Sequence, residues 1–115
     1  MRLLMVEMPY IGACLSVNHY KNGYYTKPET KAWMAELGWL VKSSHLEDWQ
    51  MPLKVLCDGR FKDHRAAADL SNLSKVVLDA LQEASGVNDK NMRWHDGDIT
   101  YGEPPVLIFT ITEAE

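Results

Sequence analysis

The segment from Asp69 to Gly86 restricts the fold more than any other part of the chain, because it has the pattern of one amphipathic helix. Apolar side chains recur at three- and four-residue intervals from Leu70 to Ala84, which is the spacing of a buried helix face. Asp69 is a favoured N-cap residue, and Gly86 tolerates the left-handed conformation that commonly ends a helix. The sequence therefore predicts a helix from Asp69 to about Ser85.

Apolar segments on both sides of this helix are typical of short β-strands. They lie at residues 2–8, 11–17 and 51–57, and the Asp58-Gly59 pair is expected to end or turn the third strand. Residues 92–101 and 106–111 are predicted to form a C-terminal hairpin.

A second, earlier helix is predicted from Thr26 to about residue 42. Thr26 and Glu29 have the spacing of a capping box, and Pro28 falls in the first turn, where its missing N–H is harmless. A turn is expected just before it, at Asn22-Gly23. The order of elements predicts one α+β domain over residues 1–115, with a mixed, mainly antiparallel sheet and two main helices packed on it.

The charge of the chain limits the possible partners. A formal net charge of −4 argues against a general DNA coat, but metal-binding carboxylates also make the active site of a nuclease locally acidic. Basic side chains nevertheless cluster in one third of the chain, as a phosphate-binding surface or simply as a solvated face: Lys54, Arg60, Lys62, Arg65 and Lys75.

No part of the sequence is typical of a membrane protein. The apolar stretch at the N-terminus is too short and too soon charged for a signal peptide, and no run approaches the roughly 20 apolar residues that cross a bilayer. We therefore expect a soluble, cytoplasmic protein.

The helix that begins at Asp69 has a set of side chains suited to magnesium-dependent phosphodiester chemistry. Asp69, Asn72 and Lys75 lie on its opening turns, and Asp89 follows its far end. Each also has a simpler interpretation: Asp69 as an N-cap, Asp89 as a turn residue, and Lys75 as a solvated lysine paired with Asp79 four residues on.

Two stretches together resemble the signature of the RusA family of Holliday-junction resolvases. They are Asp69-Leu-Ser-Asn-Leu-Ser-Lys75-Val-Val-Leu-Asp79-Ala-Leu and Gly86-Val-Asn-Asp-Lys-Asn-Met92. Ser16-Val-Asn18 also resembles the Ser-x-Asn segment that follows the first strands in that family. The similarity extends over roughly residues 10–112.

This resemblance implies a RusA-like fold and a metal-dependent, structure-selective endodeoxyribonuclease. Such an enzyme is a homodimer and cuts Holliday junctions or related branched DNA symmetrically. By position, Asp69 and Asp89 would hold Mg²⁺, and Lys75 would stabilise charge on the scissile phosphate. Asn72 would orient the metal ligands beside the DNA. The backbone phosphates would be bound by Lys54, Arg60, Lys62 and Arg65.

The chain departs from the family pattern at two positions. Ser71 stands where the family has its second metal-binding acid, and Asn88 replaces the first acid of the later pair. Each change removes one negative charge, so we expect weaker Mg²⁺ binding, a shift toward Mn²⁺, or lost activity. The alternative function is therefore a catalytically impaired module that binds branched DNA or protein. A structural domain of another α+β family is the third possibility.

Overall fold

A computed structural model describes residues 1–22 and 25–115, and the fold combines a four-stranded sheet with two helices. The turn predicted at Asn22-Gly23 includes Gly23 and lies outside the described residues. The strands and helices have these bounds: β1 Leu3–Pro9, β2 Lys21–Asn22, β3 Tyr25–Thr26, α1 Pro28–Lys42, β4 Leu53–Phe61, α2 Ser74–Ser85, β5 Met92–Tyr101 and β6 Val106–Thr112.

The main sheet has the strand order β1-β6-β4-β5. β6 is antiparallel to both β1 and β4, whereas β4 and β5 are parallel. β2 and β3 form a separate two-stranded antiparallel ribbon. The predicted α+β architecture, with a mixed and mainly antiparallel sheet, is confirmed.

One face of the sheet forms the hydrophobic core with the two helices. Alternate residues of β4 are fully buried, among them Val55, Cys57 and Phe61, while Lys54 points to the other, open face. This alternation follows from the two-residue period of a strand and fixes which side of β4 contacts the helices.

The predicted C-terminal hairpin is wrong, although both of its strands exist. β5 and β6 do not pair with each other, because β4 lies between them. The four-residue connection, 102–105, crosses the end of β4 and is held there by a hydrogen bond from the Gly102 amide to the Phe61 carbonyl at 2.8 Å. Four extended residues reach about 13 Å, which is enough to span two strand spacings of about 4.8 Å each.

The predicted strand at residues 11–17 is also wrong. Gly12 has a φ of 110°, which turns the chain away from an extended path, and Ala13–Leu15 forms a 3₁₀ turn. Leu15 of that turn is buried and Cys14 packs partly against the core, so these apolar residues contact the core from a turn rather than from a sheet position.

Helix α1 begins two residues later than its predicted cap. Thr26 is buried in β3, and Lys27 is the N-cap residue, with an extended backbone and no side-chain cap. The residue before a proline is driven to this extended conformation, so Pro28 sets the helix start without a capping box. Helix α1 ends at Lys42, as predicted, and Trp33 is buried on its inner face.

The second helix ends at Ser85, as predicted, but its predicted start is wrong, because α2 begins at Ser74 rather than at Asp69. A 3₁₀ turn, Leu70–Leu73, precedes α2, and Gly86 ends α2 with a φ of 78°. Within the residues that the structure describes, no helix has both the length and the apolar character needed to cross a membrane.

Gly59 allows the 3₁₀ turn to lie against the sheet. A Cβ at this position would lie 2.6 Å from the Phe61 ring and 3.1 Å from the Leu70 side chain. The prediction that Asp58-Gly59 ends the strand is wrong, because β4 runs through both residues to Phe61. The glycine instead provides the close approach that fixes where α2 begins.

Candidate active site

Asp69 is the residue that opens the 3₁₀ turn. Its Oδ1 accepts hydrogen bonds from the Ser71 amide at 3.2 Å and from the Ser71 hydroxyl at 2.8 Å. The expected capping role of Asp69 is therefore confirmed. Both bonds go to Oδ1, and no donor among the described residues reaches Oδ2. The second oxygen is available to a ligand from solvent.

Lys75 lies about two turns further along, in the first turn of α2. The ammonium is half-exposed, and its Nζ donates to Asp79 Oδ1 at 3.5 Å, which is the predicted pair at i and i+4. The axial rise from Asp69 to Lys75 is about 10 Å, and the Lys75 ammonium lies on the side of Asp79, further along α2. A carboxylate, a hydroxyl and an ammonium thus lie along one exposed helix opening.

The N-terminal segment that resembles the family lies directly beside this opening. The Val17 amide donates to the Asn72 carbonyl at 2.7 Å, so the exposed Asn18 lies next to the turn 70–73. Asn72 is half-buried, and its amide donates to the Asp69 carbonyl at 3.0 Å. The structure therefore places Asp69, Ser71 and Asn72 in one turn, with Asn18 beside this turn and Lys75 in the first turn of α2.

Asp89 lies at the other end of α2. It begins a second 3₁₀ turn, Asp89–Asn91, and its amide donates to Gln82 Oε1 at 3.1 Å. Asn88, the other departure from the family pattern, caps this turn by accepting from the Lys90 amide at 3.0 Å. A twelve-residue helix is about 18 Å long, so Asp69 and Asp89 of one chain do not share one ion.

The predicted phosphate-binding residues fall in two places. Lys62 and Arg65 are exposed in the loop that leads from β4 to Asp69, and Arg60 at the end of β4 donates from Nε to the Pro104 carbonyl at 3.0 Å. Lys54 lies at the other end of β4, about 20 Å away for six strand residues, and is next to Arg93 in the sheet register. Lys62 and Arg65 thus precede Asp69 in one loop, whereas Arg60 contacts the connection between β5 and β6 and Lys54 lies at the far end of β4.

The donor set at the helix opening fits a hard divalent cation only in part. Asp69 and Ser71 provide oxygen ligands, which Mg²⁺ and Mn²⁺ both accept. Within the described residues, neither Asp69 nor Asp89 belongs to a group of three or more acidic, histidine or cysteine ligands. Further ligands would have to be water, a DNA phosphate or an acid from another molecule.

Two features of the structure were not found from the sequence. His45, Glu47 and Asp48 bring their ligand atoms within 4.8 Å of one another on the exposed surface after α1. Tyr20 donates its hydroxyl to Asp79 Oδ2 at 2.8 Å. A close local spacing could have indicated the first group, but the second joins residues 59 positions apart and has no sequence signal.

The fold is α+β, and the opening of α2 has an exposed carboxylate, a lysine ammonium and a preceding loop with two basic side chains. Sites that cleave phosphodiesters commonly use residues of these types.

The family described as Endodeoxyribonuclease RusA has a model that matches residues 15–111, and the chain belongs to this family. The comparison with curated proteins found no match. The resemblance seen in the sequence is confirmed. RusA proteins are endodeoxyribonucleases of the Holliday-junction resolvase type; they act on branched DNA and generally depend on a divalent metal.

Proposed function

We propose that this protein is a metal-dependent endodeoxyribonuclease that cuts Holliday junctions or related branched DNA. The observation that carries the proposal is the exposed opening of α2, where Asp69, Ser71 and Lys75 follow the cationic loop 62–68. Asp69 would hold Mg²⁺ or Mn²⁺ through Oδ2, with the Ser71 hydroxyl as a neutral neighbour. The bound ion would activate water and offset charge at the phosphate.

The side chains around the ion would act on the DNA directly. Lys75 would donate to a non-bridging oxygen of the scissile phosphate, where negative charge increases in the transition state. Lys62 and Arg65 would bind flanking phosphates and so fix the strand relative to Asp69. Asn72 holds the turn through its backbone, which leaves its side chain for the ligands or the DNA.

We also propose that the active form is a homodimer in which each site combines Asp69 of one copy with Asp89 of the other. The two acids lie at opposite ends of α2, so one chain alone does not complete the family's acidic set. In a two-fold dimer with antiparallel α2 helices, the far end of one helix approaches the opening of its mate. Two such sites would also suit paired cuts in a two-fold junction.

Cleavage of a synthetic four-way junction tests the activity. With Mg²⁺ or Mn²⁺ we expect paired nicks, abolished by a chelator and reduced at least about a hundredfold in Asp69→Asn and in Lys75→Ala. Glu36→Gln and Lys31→Ala change the same charges on the exposed surface of α1 and should cleave normally.

Mixing two inactive variants tests the shared site. If the acids come from different copies, an equal mixture of Asp69→Asn and Asp89→Asn recovers roughly a quarter of the wild-type rate, because half of the dimers carry one complete site. No recovery in mixtures that do exchange subunits would mean that the copies do not share acids.

Ser71 favours the alternative function, which is a module that binds branched DNA without cutting it. Ser71 removes one charge from the site, and its hydroxyl occupies an oxygen of Asp69. Junction binding with no nick under either metal would support this alternative. A protein that neither binds nor cuts the junction would contradict both functions.

A further inference from the structure

A hydrogen-bonded chain connects the half-exposed Lys75 to a residue of the core. Tyr20 donates its hydroxyl to Asp79 Oδ2 at 2.8 Å, and Lys75 Nζ donates to Asp79 Oδ1 at 3.5 Å. The two oxygens of one carboxylate are thus divided between a phenol and an ammonium.

Burial distinguishes this arrangement from an ordinary surface ion pair. Tyr20 is 2% exposed, and the Asp79 side chain is 19% exposed against 53% for Lys75. An exposed pair at i and i+4 leaves both side chains free to change rotamer, and many such pairs contribute nothing measurable. Here the phenol donates to the other oxygen of the carboxylate, which restricts the orientations in which Asp79 can accept from the lysine.

The phenol stays protonated and therefore remains a donor. Burial raises the pKa of Tyr20 well above its usual value, and the hydrogen bond and negative charge of Asp79 and the charge of Glu83 raise it further. Deprotonation would place two negative oxygens against each other, so the Tyr20 to Asp79 bond persists at every physiological pH.

The segment that carries Tyr20 also holds the opening of α2. The Tyr20 amide donates to the Ser16 carbonyl at 2.7 Å, and the Val17 amide donates to the Asn72 carbonyl at 2.7 Å. One segment, 16–20, therefore contacts the turn before α2 through its backbone and the second turn of α2 through Tyr20. The positions of the turn and of the lysine are coupled through it.

We propose that Asp79, oriented by Tyr20, is a positioning residue for Lys75. This proposal rests on the function proposed above, in which Lys75 contacts the scissile phosphate. An ammonium has three N–H donors, and the bond to Asp79 uses one of them. The other two stay available for phosphate oxygens. Because the bond to Asp79 already restricts the rotamers of the lysine in the free enzyme, less side-chain entropy is lost when the lysine binds the transition state.

Two variants and one matched control test the proposal. Asp79→Asn removes the charge that attracts Lys75, and Tyr20→Phe removes only the hydroxyl that orients Asp79. Glu83→Gln removes a carboxylate on the same helix that acts on Tyr20 but has no bond to Lys75. Thermal unfolding of each variant shows whether the fold is kept, and Tyr20→Phe retains the buried ring if Asp79→Asn does not fold.

Junction cleavage is the first measurement. We expect kcat to fall about tenfold in Asp79→Asn and about threefold in Tyr20→Phe, with KM for the junction unchanged, because only the transition-state contact is weakened. The double variant should be no slower than Asp79→Asn, since both changes act through one carboxylate. Glu83→Gln should cleave at the wild-type rate. An unchanged or higher kcat in Asp79→Asn would contradict the proposal.

A second measurement needs neither metal nor DNA. Acetic anhydride labels lysine amines, and mass spectrometry compares Lys75 with Lys62 as an internal standard. We expect Lys75 to react about threefold faster in Asp79→Asn, where the ammonium loses its charged acceptor, and less than this but faster than the wild type in Tyr20→Phe, where the acceptor is no longer oriented. Equal labelling in all variants would overturn the positioning role. If Lys75 reacts faster in the variants but the wild type cuts no junction, the proposed nuclease function is wrong, while the contact between Lys75 and Asp79 is confirmed.

Discussion

The two ends of α2 are built alike and anchored differently. Each end has a 3₁₀ turn capped by a side-chain oxygen, from Asp69 before the helix and from Asn88 after it. The first turn buries Leu70 and Leu73, whereas the second buries none of its own side chains. The opening of α2 is thus fixed to the sheet, while the far end presents Asp89 at the surface, where a second molecule can meet it.

Alanine substitutions at two glycines test this difference in anchoring, and they have the largest expected effect on the free energy of unfolding. Gly59→Ala should cost about 3 kcal/mol of unfolding free energy, because the new Cβ overlaps the buried Phe61 ring and displaces Leu70. Gly86→Ala should cost only about 1 kcal/mol, since its φ is positive but nothing lies within 4 Å. Urea unfolding measures both.

Equal losses for the two glycine variants would mean that the opening of α2 is not fixed more firmly than its end. Junction cleavage provides a further distinction. Gly59→Ala should slow it by moving the turn that carries Asp69, whereas Gly86→Ala should not.

Replacing Ser71 and Asn88 by the aspartates of the family pattern compares how much each end of α2 contributes to metal binding. Ser71→Asp should tighten Mg²⁺ binding about tenfold and raise cleavage, because it returns a charge beside Asp69. Asn88→Asp should change the affinity less, since this position already serves as the cap of its turn. Titration calorimetry with Mg²⁺ and Mn²⁺ measures the affinities, and no change in Ser71→Asp would place residue 71 outside the metal shell.

The smallest expected effect is on the salt dependence of junction binding, and it compares a basic residue in the loop before Asp69 with one at the far end of β4. Arg65→Ala should weaken junction binding and reduce the slope of log affinity against log salt by about one. Lys54→Ala should change the slope by less, because Lys54 lies about 20 Å from Arg60 along β4. Binding titrations at several salt concentrations check both values. A larger effect from Lys54 would show that the DNA crosses the open face of the sheet.

The sequence predicted local elements well where one segment carried its own signal. The segment from Asp69 to Ser85 has a cap, a periodic apolar face and a stop glycine within one stretch. The apolar face and the glycine are confirmed, and Asp69 is a cap, but of the 3₁₀ turn that precedes α2. The α+β class and the family also follow from the sequence, because they depend on the order of elements and on one specific motif.

Pairings between distant segments were not predictable in the same way. The apolar pattern of β5 and β6 identifies two strands, but it does not state that β4 lies between them. Residues 11–17 are mostly apolar, but the structure uses Cys14 and Leu15 in a turn against the core rather than in a strand. The bond from Tyr20 to Asp79 likewise depends on how the N-terminal segment lies over α2.

The sequence by itself determined the helical segment that follows Asp69, its acid, amide and lysine, and the membership in the RusA family. Local spacing suffices for these, since side chains within two helical turns have fixed relative positions. Only the tertiary structure decided that Asp89 lies a helix length from Asp69, that Lys54 is apart from the loop cations, and that Tyr20 holds Asp79. Such distances depend on how segments pack together, which the order of residues along the chain does not specify.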